Sequence, residues 1–280
     1  MFSSSPAFRE QSGSPLWYLF YLGNVPEGLL GHNVPYWLGP VWSLAIEEQF
    51  YLTFPWLVAY TSPRRLTQIL VGILVLAPLV RVITMLLDPA HERVQYLFTL
   101  CRLDTIAMGC LLAVFMRSVD VKRHRPLLHK LGIGVLLGAA AIALFTGADR
   151  TTVFGRTAGY TIIALGCASI VLLTMLARGE RSTTPLRAGA LRYFGKLCFG
   201  LYLLHRPADT IISAVATRVH VDTAALWLIP IKIITALVLA TISWRFFERP
   251  ILRFKAAFGG VRHPGHGAAE ARTSSRLGGL

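Results

Sequence analysis

Residues 42–55 read WSLAIEEQFYLTFP, and they place two adjacent acids, Glu47 and Glu48, inside an apolar, helix-length run from Val41 to Tyr60. A bare carboxylate at membrane depth costs roughly 2.5–3.5 kcal/mol at a helix centre, less near an end. On a helix, Ser43, Glu47 and Tyr51 share one face at i, i+4 spacing, while Glu48 points about 100° away. The spacing predicts a hydrogen-bonded carboxylate flanked by two hydroxyls. One reading is a structural acid that pins this helix to a neighbouring arginine; the other is a direct role in handling substrate.

The rest of the chain sets this helix in a membrane. Of its 280 residues 54% are hydrophobic and the mean hydropathy is +0.55, more apolar than a soluble domain of about 45–50%. The excess falls in blocks, which predicts an all-α polytopic membrane helix bundle with about seven transmembrane helices. The spans are expected at Val41–Tyr60, Leu66–Leu87, Tyr96–Met116, Lys130–Thr146, Thr157–Ala177, Tyr193–Thr217 and Thr223–Phe247. Three regions follow: an outward-facing interfacial segment and loop over 1–40, a transmembrane helical domain over 41–248, and a basic, disordered cytoplasmic tail over 249–280. The net charge of +14 is spread over short loops and the tail, as topology requires, and does not point to nucleic acid. Cys101, Cys110, Cys167 and Cys198 all fall in apolar runs without CxxC spacing, so neither a disulfide framework nor a metal site is expected.

Orientation follows from the loops. Seventeen Arg and Lys lie in loops 61–65, 117–130 and 178–192 and in the tail, five lie in the alternate loops, and six lie within spans. That bias places the C-terminus in the cytoplasm and residues 1–40 outside. An outward N-terminus without a signal peptide implies an odd number of helices ahead of Met1, in the same polypeptide or supplied by a partner.

The Trp-Ser-Leu, Glu-Glu-Gln-Phe-Tyr and Pro pattern of 42–55 resembles the hallmark of the acyltransferase-3 family, multi-span bacterial membrane O-acyltransferases. Two further segments share the resemblance. RLDTIAMGCLLA, from Arg102 and Asp104 onward, is similar to the family's Arg-x-Asp segment. YFGKLCFGLYLLHRP, from Tyr193, is similar to its Gly-Leu-Tyr-Leu-x-His-x-Pro segment, with Cys198 where a small residue is usual. The family carries about ten spans, so the chain looks like the C-terminal two-thirds of such a protein. The family's first helix bears a basic residue and a histidine regarded as catalytic base, followed by glycine-phenylalanine and arginine motifs; none is present, and His32 does not match. The resemblance implies transfer of an acyl group, in the first instance acetyl, from acyl-CoA to a hydroxyl of a carbohydrate or other envelope acceptor at the bacterial inner membrane, with activity of this chain alone in question. No bound cofactor is implied.

Candidate catalytic residues are Glu47, Glu48, Arg102 and His205, the last being the one imidazole in an apolar helix able to move protons near pH 7. Candidate substrate-binding residues are Trp42, Ser43, Tyr51, Asp104 and Tyr202. Pairing of Arg102 with Glu47 or Glu48 would lessen the cost of both charges. Arg81 and Lys232 are expected to snorkel, Arg245 and Glu248 to form a helix-end ion pair, and loop 117–130 either to set topology or to meet the phosphates of acyl-CoA. The competing class is a non-enzymatic membrane protein, either transporter-like or degenerate, against which the lack of an internal repeat counts.

Overall fold

The computed structural model describes residues 14–89, 92–146 and 152–258, with side chains through 254; residues 1–13 and the tail beyond 258 lie outside the described residues. Helices α1 (Leu16–Leu19) and α2 (Asn24–Leu29) precede the motif helix α3, Val41–Tyr60. Then come α4 (Pro63–Leu87), α5 (Glu92–Leu97), α6 (Leu103–Ser118), α7 (Val121–Phe145), α8 (Tyr160–Leu176), α9 (Gly189–Arg218), α10 (Leu228–Ser243) and α11 (Arg249–Phe258). Gly155–Gly159 and Trp244–Glu248 are π-helical turns that run without a break into α8 and α11.

Local signals account for the boundaries. The motif helix has the predicted limits. It ends at Thr61, where the backbone turns extended, and α4 starts at once: the Ser62 hydroxyl accepts from the Arg65 amide at 3.4 Å with Pro63 in the first turn. Asp120 caps α7 by accepting from the Lys122 and Arg123 amides, so the basic stretch expected as loop 117–130 is mostly helix. Residues 249–258, expected as disordered tail, are also helical.

The predicted span Tyr96–Met116 is broken. Helix α5 stops at Leu97, a 3₁₀ turn covers Thr99–Cys101, and α6 begins after Arg102. Backbone groups freed at membrane depth need partners, and buried side chains supply them: Asn24 Nδ2 donates to the Leu97 carbonyl at 3.0 Å, and Arg81 Nη1 to that of Cys101 at 2.5 Å.

Among the described residues four helical stretches are long and apolar enough to cross a bilayer: Pro63–Leu87, Val121–Phe145, Gly155–Leu176 and Leu228–Phe254. With only 16 residues, α6 reaches about 24 Å, short of a hydrocarbon core of about 30 Å. The motif helix and α9 carry acids or several cations. Four of the seven expected spans thus qualify on length and apolarity among the described residues. Their apolar side chains face outward, as with Leu144 and Phe145 at 84% and 94% exposure, an arrangement suited to lipid.

Helices pack through small residues. A Cβ on Gly166 would sit 3.5 Å from Ala139, joining α7 to α8, and one on Gly200 would sit 3.4 Å from Ala240, joining α9 to α10. Leu66, Leu70 and Ala107 form a core between α4 and α6, roofed by Phe54 and Leu57 of the motif helix.

Candidate active site

Because neighbouring helices alternate in direction, the starts of α3, α6 and α8, the end of α4 and the second half of α9 meet at one end of the bundle, beneath residues 14–40. The motif helix reaches different partners from different sides. Ser43 Oγ donates to the Pro40 carbonyl at 3.1 Å and forms a short hydrogen bond with the Tyr202 hydroxyl. One turn further on, Glu47 lines a cavity of about 310 Å³ with Leu44, Cys198, Phe199, Tyr202 and Leu203. The two separate family-like segments, 42–55 and 193–207, are therefore brought together across this cavity.

The predicted Ser43–Glu47–Tyr51 hydrogen-bonded trio does not form. The Ser43 hydroxyl is spent on Pro40 and Tyr202, and Tyr51 is 59% exposed. Among the described residues Glu47 and Glu48 make no hydrogen bond or ion pair, which leaves the Glu47 carboxylate free to meet a ligand in the cavity. His205 lies one turn beyond Tyr202, its Nδ1 2.7 Å from the Tyr202 carbonyl of its own helix, and its ring is exposed. The next residue, Arg206, stacks over Tyr36, in the turn before the motif helix, at 4.7 Å.

Arg102 pairs with neither glutamate. Its guanidinium lies 4.3 Å from the Tyr160 ring centroid, 5.6 Å from that of Tyr96 and 6.0 Å from that of Trp42, a three-sided aromatic enclosure. Trp42 itself packs against Tyr96 at 4.6 Å. Asp104 takes a different arginine. Arg81, expected to snorkel, is fully buried and donates to Asp104 Oδ1 at 3.1 Å and Oδ2 at 2.9 Å, to the Thr157 carbonyl at 2.7 Å, to Thr161 Oγ1 at 2.6 Å and to the Cys101 carbonyl. All five donors of the guanidinium are used. Both Asp104 carboxylate oxygens are thus taken up by Arg81 and Thr161. Asp104 anchors the start of α6 and so sets Arg102, two residues earlier, in its aromatic enclosure.

Two other expectations change. Lys232 forms an interhelical ion pair with Asp209 at 2.7 Å, having found a carboxylate within reach instead of a membrane surface. Glu248 accepts from Ser243 Oγ at 3.2 Å instead of pairing with Arg245, because the π-helical turn at Trp244–Glu248 changes the i, i+3 geometry.

Sequence reasoning gave no role to Gln49. Its amide closes a ring in which Gln49 Nε2 donates to Asn24 Oδ1 at 3.0 Å, Asn24 Nδ2 to Thr99 Oγ1 at 2.9 Å, and Thr99 Oγ1 to Gln49 Oε1 at 2.7 Å. Its place beside the two acids was the signal, since an amide in an apolar helix needs several partners. Glu27 was also overlooked. Burial pushes its carboxyl up to about 7, with Arg93 and Arg206 pulling the other way.

Comparison with known proteins gives the family. An acyltransferase domain family matches residues 2–245. The chain belongs to that family, the acyltransferase-3 group, and its four membrane-capable helices make it a membrane protein. It is similar to the O-acetyltransferase OatA of Staphylococcus aureus, 27% identical over 254 residues, which cover 85% of this chain and 41% of that protein. It is likewise similar to the peptidoglycan O-acetyltransferase OatA of Listeria monocytogenes, 27% identical over 258 residues, covering 85% and 40%. The chain thus spans about two fifths of the length of the curated relatives it matches. No solved structure matches it significantly.

Proposed function

We propose that this chain forms part of a membrane O-acyltransferase that moves an acetyl group from acetyl-CoA to a hydroxyl of a carbohydrate acceptor in the cell envelope. The observation that carries the reading is the cavity shared by Glu47 and Tyr202, joined by the Ser43–Tyr202 hydrogen bond. The family membership and the names of the relatives, one of them a peptidoglycan O-acetyltransferase, supply the reaction class.

Acyl transfer to a hydroxyl needs a group that takes the hydroxyl proton and donors that stabilise the oxyanion. Glu47 is the carboxylate placed to hold an acceptor hydroxyl or to orient a base beside it. The Tyr202 hydroxyl beside it donates to Ser43 Oγ, whose own proton goes to the Pro40 carbonyl, and keeps its lone pairs to accept from an acceptor hydroxyl. His205, one turn away and exposed, is the group able to relay a proton from the cavity to water. Arg102 and Glu48 stand outside this cavity. In this reading the chain lies in the bacterial inner membrane with seven crossings, residues 14–40 outside and the C-terminus in the cytoplasm. The acceptor then meets the site from the outer end.

Transfer of radiolabelled acetyl from acetyl-CoA to cell-wall glycan, in membranes carrying the full-length protein, tests this. Glu47→Gln and Tyr202→Phe are each expected to lower kcat by about 10²-fold or more, the scale of one acid–base or oxyanion group. Glu48→Gln should stay within a few-fold of wild type. Unchanged transfer in Glu47→Gln would remove the assignment.

A further inference from the structure

We infer that Arg206 is a positioning residue, which clasps α9 to the turn before the motif helix and thereby sets the Tyr202 hydroxyl against Ser43 and beside Glu47. Its bearing on catalysis rests on the role of Tyr202 proposed above. Tyr202 and Arg206 lie four residues apart, so they share one face of α9. A single short stretch of chain faces them both: Arg206 meets Tyr36 and Gly39, and Tyr202 meets Ser43. The two contacts are one turn apart on α9 and bracket Pro40, whose carbonyl takes the Ser43 proton.

The guanidinium makes the contacts of a clasp and not of a snorkelling side chain, whose head would reach for water. Its Nη1 donates to the Tyr36 carbonyl at 3.4 Å, and its carbon lies 4.7 Å from the Tyr36 ring centroid. Gly39 completes the seat. Its φ of −47° and ψ of −40° are right-handed helical values that any residue adopts, so the backbone does not call for glycine there. Space does: a Cβ at position 39 would overlap Arg206 Nη1 and lie 2.8 Å from the guanidinium carbon. Glu27 of α2 is near enough to feel the same charge: burial raises its carboxyl, and Arg93 and Arg206 pull against that rise.

The clasp matters because little else fixes the gap it spans. Helix α9 packs along α10 and the π-helical turn that follows it, and its contact with the remaining helices runs chiefly through Tyr36–Leu38. Between α9 and the motif helix lies the cavity itself, with Leu44 and Glu47 on one side and Cys198, Phe199, Tyr202 and Leu203 on the other. Open space cannot hold its two walls in register, so the position of Tyr202 is set at the clasp, one turn along its own helix. Misplacing a group that orients substrate by about 1 Å can cost about 10²-fold in rate.

A fluorine NMR resonance from fluorotyrosine at position 202, in the full chain in detergent, reads the Ser43–Tyr202 bond without any turnover. Ser43→Ala gives the position of the resonance when that bond is absent. Arg206→Gln removes the guanidinium, and Gly39→Ala displaces it by pressing on the flexible end of its side chain. Both should move the resonance toward the Ser43→Ala position. A resonance left at its wild-type position in Arg206→Gln would overturn the inference, as would one left there in Gly39→Ala should the first variant fail to fold. Acetyl transfer then separates positioning from general stability. Arg206→Gln should lower kcat about tenfold or more, with acceptor KM changed less, and should cost nothing further in Tyr202→Phe. Losses that multiply in the double variant would mean that Arg206 acts elsewhere, which equally overturns the inference. If Tyr202→Phe alone keeps wild-type transfer, the role proposed for Tyr202 fails, while the resonance still decides whether Arg206 holds it.

Discussion

Removing the Asp104 carboxylate tests how the bundle end is held. In Asp104→Ala, Arg81 stays fully buried while two of its five hydrogen bonds, at 3.1 and 2.9 Å, vanish, and Thr161 loses its acceptor. Breaking a buried pair from one side costs about 3–5 kcal/mol, because the surviving charge has no compensation. Arg81→Met should cost a similar amount by stranding Asp104. Replacing both, as Arg81→Met with Asp104→Ala, leaves no buried charge and should cost less than either single change. At roughly 2–4 °C per kcal/mol for chains near this size, the singles should unfold roughly 6–20 °C below wild type in detergent. The double variant should recover much of that loss. The cycle would then give a coupling energy of several kcal/mol between two side chains 23 residues apart in sequence. Additive losses, or an Asp104→Ala midpoint within about 2 °C of wild type, would refute the view that this pair anchors the start of α6.

Three further outcomes follow from other contacts. Gln49→Leu opens the Asn24–Gln49–Thr99 ring and should cost about 2–3 kcal/mol, with faster proteolysis of residues 24–38 as the check. Glu27 has a folded-state value of about 7, above its ordinary 4.5, so the native state keeps a proton that the unfolded chain has already released. The stability it confers is present below about pH 4.5 and is lost as pH rises through about 7. Glu27→Gln should therefore unfold like wild type at pH 4.5 and be more stable by about 1 kcal/mol at pH 8, the partial exposure of the group limiting the gain; a constant difference across that range would contradict this. Gly200→Val pushes a side chain against Glu248 Oε1 at 3.2 Å and the Ala240 backbone at 3.4 Å. It should cost about 1–3 kcal/mol in thermal unfolding, with the α9–α10 contact loosened.

Much of this protein is written in one dimension. Runs of apolar residues separated by basic loops establish helices for a membrane, since burying backbone in lipid leaves few alternatives. The limits of the motif helix follow from Pro40 before it and Ser62-Pro63 after it. The mixture of Trp, paired Glu and Tyr at 42–55 identifies the family. Local rules, however, cannot say which charge meets which. Arg102 and Asp104 lie two residues apart, yet one faces aromatic rings from three helices while the other meets Arg81, 23 positions earlier. Arg81 looked like a snorkelling side chain because its partners, Thr157, Thr161 and Asp104, are spread over two other helical segments. The break at Arg102 was equally hidden, since it rests on Asn24 and Arg81 supplying donors from elsewhere. Helix formation depends on neighbours within one turn, whereas a buried charge is satisfied only by groups that packing brings from distant positions. The chain therefore spelled out its helices and its family, and the tertiary structure alone decided its ion pairs and the cavity that joins Glu47 to Tyr202.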